Sequence, residues 1–173
     1  MKSNTLRLSR RWYLCLGGIA ALALASAFII RNSSPIDDNP VRRMSYQGNI
    51  VRAARDNADF RRVLFTGQKS QLVVMSIPPG GEVGSETHRY TEQTLFFLSG
   101  TGEGILDGKT FSINPGDVVV VVPGTEHNFI NTGAQDMKIY TVYAPPNHID
   151  GRVHATKADA DADVADEAVG ERP

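Results

Sequence analysis

The chain has one cysteine in 173 residues, Cys15, and it sits in an apolar run near the N-terminus. The rest of the sequence therefore has no thiol for a disulfide, a cysteine-built zinc site or a nucleophile. Positive charge is also short where a nucleic-acid binder would need it. Residues 1–31 carry Lys2, Arg7, Arg10, Arg11 and Arg31 with no acid, a block of +5. Residues 157–173 reverse the sign: six acids against Lys157 and Arg172 give −4, and the formal net charge of −1 then leaves −2 for the middle. No basic patch remains there to hold a phosphate backbone, which excludes nucleic acid as an expected partner. Histidines number only four, His88, His127, His148 and His154, so side-chain chemistry must come from them and from carboxylates. The length suits one domain plus extensions.

Trp12 to Ile30 is an uncharged, mostly apolar run preceded by four positive charges, as in a secretory signal or a single membrane span. Ser9-Arg10-Arg11-Trp12-Tyr13-Leu14 resembles a twin-arginine export signal with Tyr in the Phe place, and Ala25-Ser26-Ala27 would be its small-residue cleavage site. Against cleavage, the apolar stretch continues through Phe28-Ile29-Ile30 to a length that crosses hydrocarbon. Both readings, cleaved signal and uncleaved anchor, put the following domain on the extracytoplasmic, periplasmic side, because the positive charges stay inside. Residues 32–45, polar and with Pro35 and Pro40, read as a linker.

From residue 46 to 146 the pattern predicts a single all-β domain. Ile50 to Phe60 suits a short helix or an irregular edge. Strand-like segments follow at 62–65, 71–77, 94–98, 104–106, 109–113, 118–122, 127–130 and 138–143. Turn residues such as Pro78-Pro79-Gly80-Gly81, Asp107-Gly108 and Asn131-Thr132-Gly133 divide them. Short strands at this spacing with no helices between them specify a sandwich or barrel. Five successive valines, Val118 to Val122, predict a strand covered on both sides. The second cover would be another sheet, the N-terminal segment or a second subunit, which makes a homodimer the expected assembly. Residues 147–173 have low apolar density and an Ala/Asp alternation, and read as a mostly disordered acidic extension.

The informative stretch is Gly80 to Gly100. Glu86 and His88 lie two apart, so a strand would send both to the same face. Gln93 follows five residues later, and Gly100 seven after that. A second cluster runs Gly116, Gly124, His127, Asn131. These two clusters resemble the paired motifs of the cupin family, G(x)5-H-x-H-(x)3–4-E-(x)6-G and G(x)5-P-x-G-x-x-H-(x)3-N. All the spacings are met, with three changes of identity: Glu86 in the first His place, Gln93 in the Glu place and Val122 in the Pro place, with Pro123 beside it. The likeness to small single-domain bacterial cupins extends over about residues 46–160.

That resemblance implies a double-stranded β-helix, or jelly-roll, barrel preceded by a hydrophobic helix. It also implies one divalent ion (Zn, Mn, Fe or Ni) held by Glu86, His88, Gln93 and His127. Two imidazoles and a carboxylate suit such an ion, with Gln93 as a weak oxygen donor. Tyr90 shares parity with Glu86 and His88 and is expected in the cavity as an acid, with Glu86 as the general base. Phe97, Phe129, Ile139 and Tyr143 are expected in the wall, Arg89 and Glu126 in solvent, and His148 and His154 in a loop beyond the barrel. The barrel supports many reactions, and three readings stay open. These are isomerisation or elimination on a small oxygenated substrate such as a sugar or organic acid, non-catalytic capture of a small ligand, and dioxygenation at Fe(II). The expected partners are thus a small molecule, a second copy of the chain, and the membrane if the N-terminal segment is uncleaved.

Overall fold

The computed structural model describes residues 45–172. The signal or anchor segment, Cys15 and all but the last residue of the linker lie outside the described residues. Among those described, no helix is long and apolar enough to cross a membrane.

A short helix, α1 (Ile50–Asp56), opens the domain. It is capped by Asn49, whose side chain accepts from the Arg52 N–H at 2.9 Å, satisfying one of the orphan donors of a first turn. Ten strands follow: β1 (Arg61–Thr66), β2 (Gln71–Ile77), β3 (Glu86–Thr87), β4 (Glu92–Ser99), β5 (Gly102–Leu106), β6 (Lys109–Ile113), β7 (Val118–Val121), β8 (Glu126–Asn131), β9 (Met137–Ala144) and β10 (Val153–His154). They form a six-stranded sheet, β10-β1-β2-β9-β4-β7, and a four-stranded sheet, β3-β8-β5-β6, and every pairing is antiparallel.

The core follows from alternation. On β4, Gln93, Leu95 and Phe97 are buried; on β9, Met137, Ile139, Thr141 and Tyr143 are buried; Val119 and Val121 on β7 and Phe129 on β8 join them. Asn131 is fully buried and ties three segments together. Its Nδ2 donates to the carbonyls of Ile77 and Gln135, each at 2.8 Å, and its Oδ1 accepts from the Gly133 N–H at 3.0 Å. Gly100, at φ +81°, lies where a Cβ would come within 2.6 Å of the Met137 Cα, so the motif glycine is required by both backbone shape and space.

Two expectations are corrected. The valine strand is not covered on both faces: Val118, Val120 and Val122 are each more than half exposed, because β7 is an edge strand with ordinary alternation. Nor is the C-terminal extension disordered over the described residues. Beyond β10 the chain forms α2 (Lys157–Asp161) and α3 (Val164–Gly170). Thr156 and Asp159 make a reciprocal capping box on α2, and Asp163 caps α3. This segment has almost no apolar surface to bury; it is anchored by Asp166, whose side chain is 1% exposed, and by Gly170. A Cβ on Gly170 would meet the Asn147 side chain at 2.6 Å.

Candidate metal centre

β3 is only two residues long, yet it places Glu86 directly opposite His127 of β8 in the antiparallel ladder. Side chains so paired lie within one contact of each other. His88 follows just past the end of β3 and turns back beside them, its ring centroid 5.1 Å from that of His127. Glu86 Oε1 is 3.4 Å from His88 Nε2 and 3.5 Å from His127 Nε2, and the ligand-capable atoms of the three residues all lie within 4.8 Å of one another.

The facing six-stranded sheet supplies Gln93 and Tyr143, opposite each other in the β4–β9 register. Gln93 Nε2 donates to Tyr143 Oη at 2.9 Å, which leaves Gln93 Oε1 buried without a hydrogen-bond partner among the described residues. The Nε2 atoms of His88 and His127 are in the same state.

These orphaned atoms carry a physical message. His127 Nδ1 lies 3.0 Å from the Thr125 carbonyl; a carbonyl only accepts, so Nδ1 holds the hydrogen and Nε2 presents a lone pair. That nitrogen, the Nε2 of His88 and a Glu86 carboxylate oxygen then converge, an arrangement that a shared proton or a cation stabilises. The ionisation of the groups reports the same demand. Burial would raise the Glu86 carboxyl, but hydrogen bonds and positive charge from His127 and His88 outweigh it and hold it far below the usual carboxylate range. Burial would lower His127, but Glu86 and the Thr125 carbonyl raise it. Desolvation, reinforced by the Glu86 charge, pushes the Tyr143 hydroxyl up. The donor set, two imidazoles and one carboxylate with a neutral amide oxygen, fits a divalent transition ion.

A cavity of about 350 Å³ opens onto Glu86 and His88. Glu86 is 28% exposed, reachable from outside, while His127 and Gln93 are buried. The lining also includes Arg61, His148 and residues of the C-terminal helices, Lys157 and Asp166 among them.

The sequence prediction for Tyr90 is corrected. The residue is 38% exposed and absent from the cavity lining, and its ring lies under the Arg89 guanidinium at 5.7 Å. Parity holds only within a strand, and β3 ends at Thr87, three residues before Tyr90. The residues that spacing overlooked are Tyr143, assigned to the wall, and His148, assigned to a loop. His148 is buried, with Nδ1 2.8 Å from Asp166 Oδ2 and its ring edge-on to Tyr143 at 4.9 Å. His154 pairs instead with Asp163 at 3.0 Å, away from the cavity lining. No sequence spacing links His148 to Asp166; only the folded tail does.

Comparison with known proteins places this arrangement. Residues 73–143 match the family model of the Cupin domain. An uncharacterized protein of Bacillus subtilis, YrkC, is 44% identical over 119 residues, covering 65% of this chain; the chain spans 63% of that relative's length. The crystal structure of BH2720 from Bacillus halodurans superposes with a TM-score of 0.68 at 34% identity, covering 69% of this chain and 96% of that one. A Klebsiella pneumoniae protein with a double-stranded β-helix domain, 23% identical, superposes at 0.53 over 65% of this chain and all of that one, a likeness of fold. A two-sheet jelly roll, both cupin motifs at full spacing and a relative covered almost end to end agree: the chain belongs to the cupin superfamily.

Proposed function

We propose that the barrel binds one divalent ion through Glu86, His88 and His127, with Gln93 Oε1 as a fourth donor, and acts on a small oxygenated substrate by isomerisation or elimination. One observation carries the reading: three ligand atoms within 4.8 Å, the two imidazole nitrogens among them lacking any other partner among the described residues. The ion, when bound, would polarise a carbonyl or hydroxyl oxygen of the substrate and ease loss of the proton at the adjacent carbon. Glu86 is tied to both imidazoles, which suits a ligand better than a mobile base. His127 is held in the ligating tautomer by the Thr125 carbonyl, and Gln93 is oriented by its bond to Tyr143, the outer hydrogen bonding that sets ligand direction. The cavity, about 350 Å³ with polar walls, is at the lower end for a small-molecule site, which supports a sugar or organic acid of a few carbons.

Sequence features support work outside the cytoplasm: the basic N-terminal block and the apolar run behind it. Elemental analysis of protein purified without chelators, followed by hydrogen–deuterium exchange with short aldoses and ketoses, tests the proposal. About one equivalent of zinc or manganese with exchange into a ketose is the expected result. Iron with oxygen uptake would replace it by dioxygenation. Ligand-induced stabilisation without exchange would replace it by capture. Full retention of the ion by both His88→Ala and His127→Ala would remove the ligand assignment.

A further inference from the structure

The cavity that reaches Glu86 and His88 is also lined by a second buried pair that the proposed ligand set does not use. His148 Nδ1 lies 2.8 Å from Asp166 Oδ2, and both side chains are under 5% exposed. A carboxylate only accepts, so Nδ1 carries the hydrogen and Nε2 keeps its lone pair. That nitrogen is buried and has no hydrogen-bond partner among the described residues, although the ring is immobilised from every other side. The main-chain N–H groups of His148 and Asn147 donate to Gln71 Oε1 at 2.9 and 3.2 Å, and Gln71 Nε2 donates to the His148 carbonyl at 2.8 Å. Tyr143 packs edge-on against the ring. Asp166 is fixed in turn by the Ile149 N–H at 2.7 Å and by Arg61 Nη2 at 3.5 Å.

We propose that His148, oriented by Asp166 of α3, is the proton-transfer residue of the cavity, with Nε2 as its open proton acceptor. The proposal rests on the metal-site reading above and names the group that would move the proton there. His154 shows the same pattern, one nitrogen on Asp163 and the other buried without a partner among the described residues, so an orphaned nitrogen, which costs about 1–3 kcal/mol, does not by itself mark a proton-transfer group; of the two histidines it is His148 that lines the cavity. Here one nitrogen is oriented by a carboxylate and the other is left open beside a cavity that also reaches Glu86 and His88, the arrangement of a base and its orienting group.

In an aldose–ketose conversion the step balances as follows. The Nε2 lone pair takes the proton from the carbon beside the carbonyl. The C–H electron pair becomes the C=C bond of an enediolate as the carbonyl oxygen takes up the displaced pair; the proton of the adjacent hydroxyl then passes to that oxygen, the freed O–H pair forms the new carbonyl, and the C=C pair takes the imidazolium proton at the former carbonyl carbon. The charged and titratable groups around the ring are Asp166 on α3, Arg61 on β1, Glu86 on β3 and Tyr143 on β9, with Arg152 on the far side of Asp166. Burial and the Arg61 charge lower the imidazole's pKa, more than Asp166 restores it, so near neutral pH the ring is the unprotonated acceptor the step requires.

Nitrogen-15 NMR of histidine-labelled, zinc-loaded full-length protein tests the assignment without turnover. Hydrogen on Nδ1 of His148 is expected, and hydrogen on Nε2 overturns the proposal. Oxalate, a small two-oxygen probe, is expected to shift His148 Nε2. An unmoved His148 signal overturns the proposal, whereas unmoved His88 and His127 signals would count against the metal reading instead. If the wild type exchanges deuterium into dihydroxyacetone, His148→Asn should keep its zinc and lose at least about 100-fold in exchange rate, the usual scale for a proton-transfer group; a wild-type rate overturns the proposal. Asp166→Asn serves as the positioning control. With the carboxylate charge gone, the acid limb of the exchange profile should move to lower pH, a change that simple loosening of the fold would not produce. An unmoved limb overturns the positioning role.

Discussion

At Gln93 a neutral amide stands in a place where the family pattern has a carboxylate, and it has two duties: Nε2 donates to Tyr143 and Oε1 remains for a cation. Gln93→Glu adds a negative charge to the ligand set, so zinc affinity measured by competition with a chromophoric chelator should rise, by about tenfold. His127→Ala removes the best-oriented ligand and should weaken the ion by more than about 100-fold, beyond the range typical for losing an outer hydrogen-bond partner. Asn131→Ala strands two carbonyls and an N–H at the β8–β9 turn and should lower the unfolding free energy by about 3 kcal/mol in urea titration, without altering the ligand set. Glu86, His88, Gln93 and His127 were named in the sequence through their resemblance to the spaced motifs of the family, and three of them, Glu86, His88 and His127, come together in the fold. The sequence reading misplaced Tyr90, because the parity argument ran past the end of β3. It passed over His148, whose significance depends on a carboxylate eighteen residues away that reaches it only through the folded tail.

Strands β1, β2 and β4 to β9 were legible because Gly, Pro and Asn turns bound them and, on β4, β7 and β9, burial alternates with period two. β3 and β10, two residues each, were too short to show a period. The tail was illegible for a different reason. Its Ala/Asp composition offers little core, only Ala160 packing against that of the barrel, and what orders it is mostly polar: buried Asp166, Asp163 paired with His154 and Arg152, and the helix caps. Asp166→Ala should therefore cost about 3 kcal/mol, the scale for breaking a buried pair, and open residues 157–172 to limited proteolysis. The pH dependence follows. In the fold, burial lowers the His148 imidazole below its ordinary 6.5, and His148 and the Ile149 N–H, acting against burial, hold the Asp166 carboxyl below 3.8. Both groups therefore bind fewer protons folded than unfolded. Their contribution is complete above about pH 6.5 and is lost as pH falls, first through the imidazole and then through the carboxyl. The stability difference between wild type and Asp166→Asn, measured by denaturant titration at several pH values, should grow as pH falls through the imidazole range, where only the wild type keeps a carboxylate against the protonated ring, and shrink below about pH 3.8 as the carboxyl takes up its own proton.

For the whole molecule, the two sheets and one core were foreseeable from strand spacing, whereas the environment of β7 was not, since alternation on an edge strand leaves an apolar row in solvent. Val118, Val120 and Val122 form that row on a strand with a free edge, a surface that association would cover. The expected outcome is a concentration-dependent dimer of the full chain in sedimentation velocity, converted to monomer by Val120→Arg with metal content unchanged; a monomer at all concentrations would remove the dimer from the picture. The cavity has a divided origin: the proposed ligands lie in the stretch matching the Cupin domain, residues 73–143, while much of the remaining lining comes from residues after 146. On the proposed function, selectivity would be retuned by exchanging this appendix. Chimeras that graft another relative's C-terminus onto this scaffold would alter selectivity while leaving ion affinity untouched, so natural variation there would diversify chemistry without rebuilding the barrel.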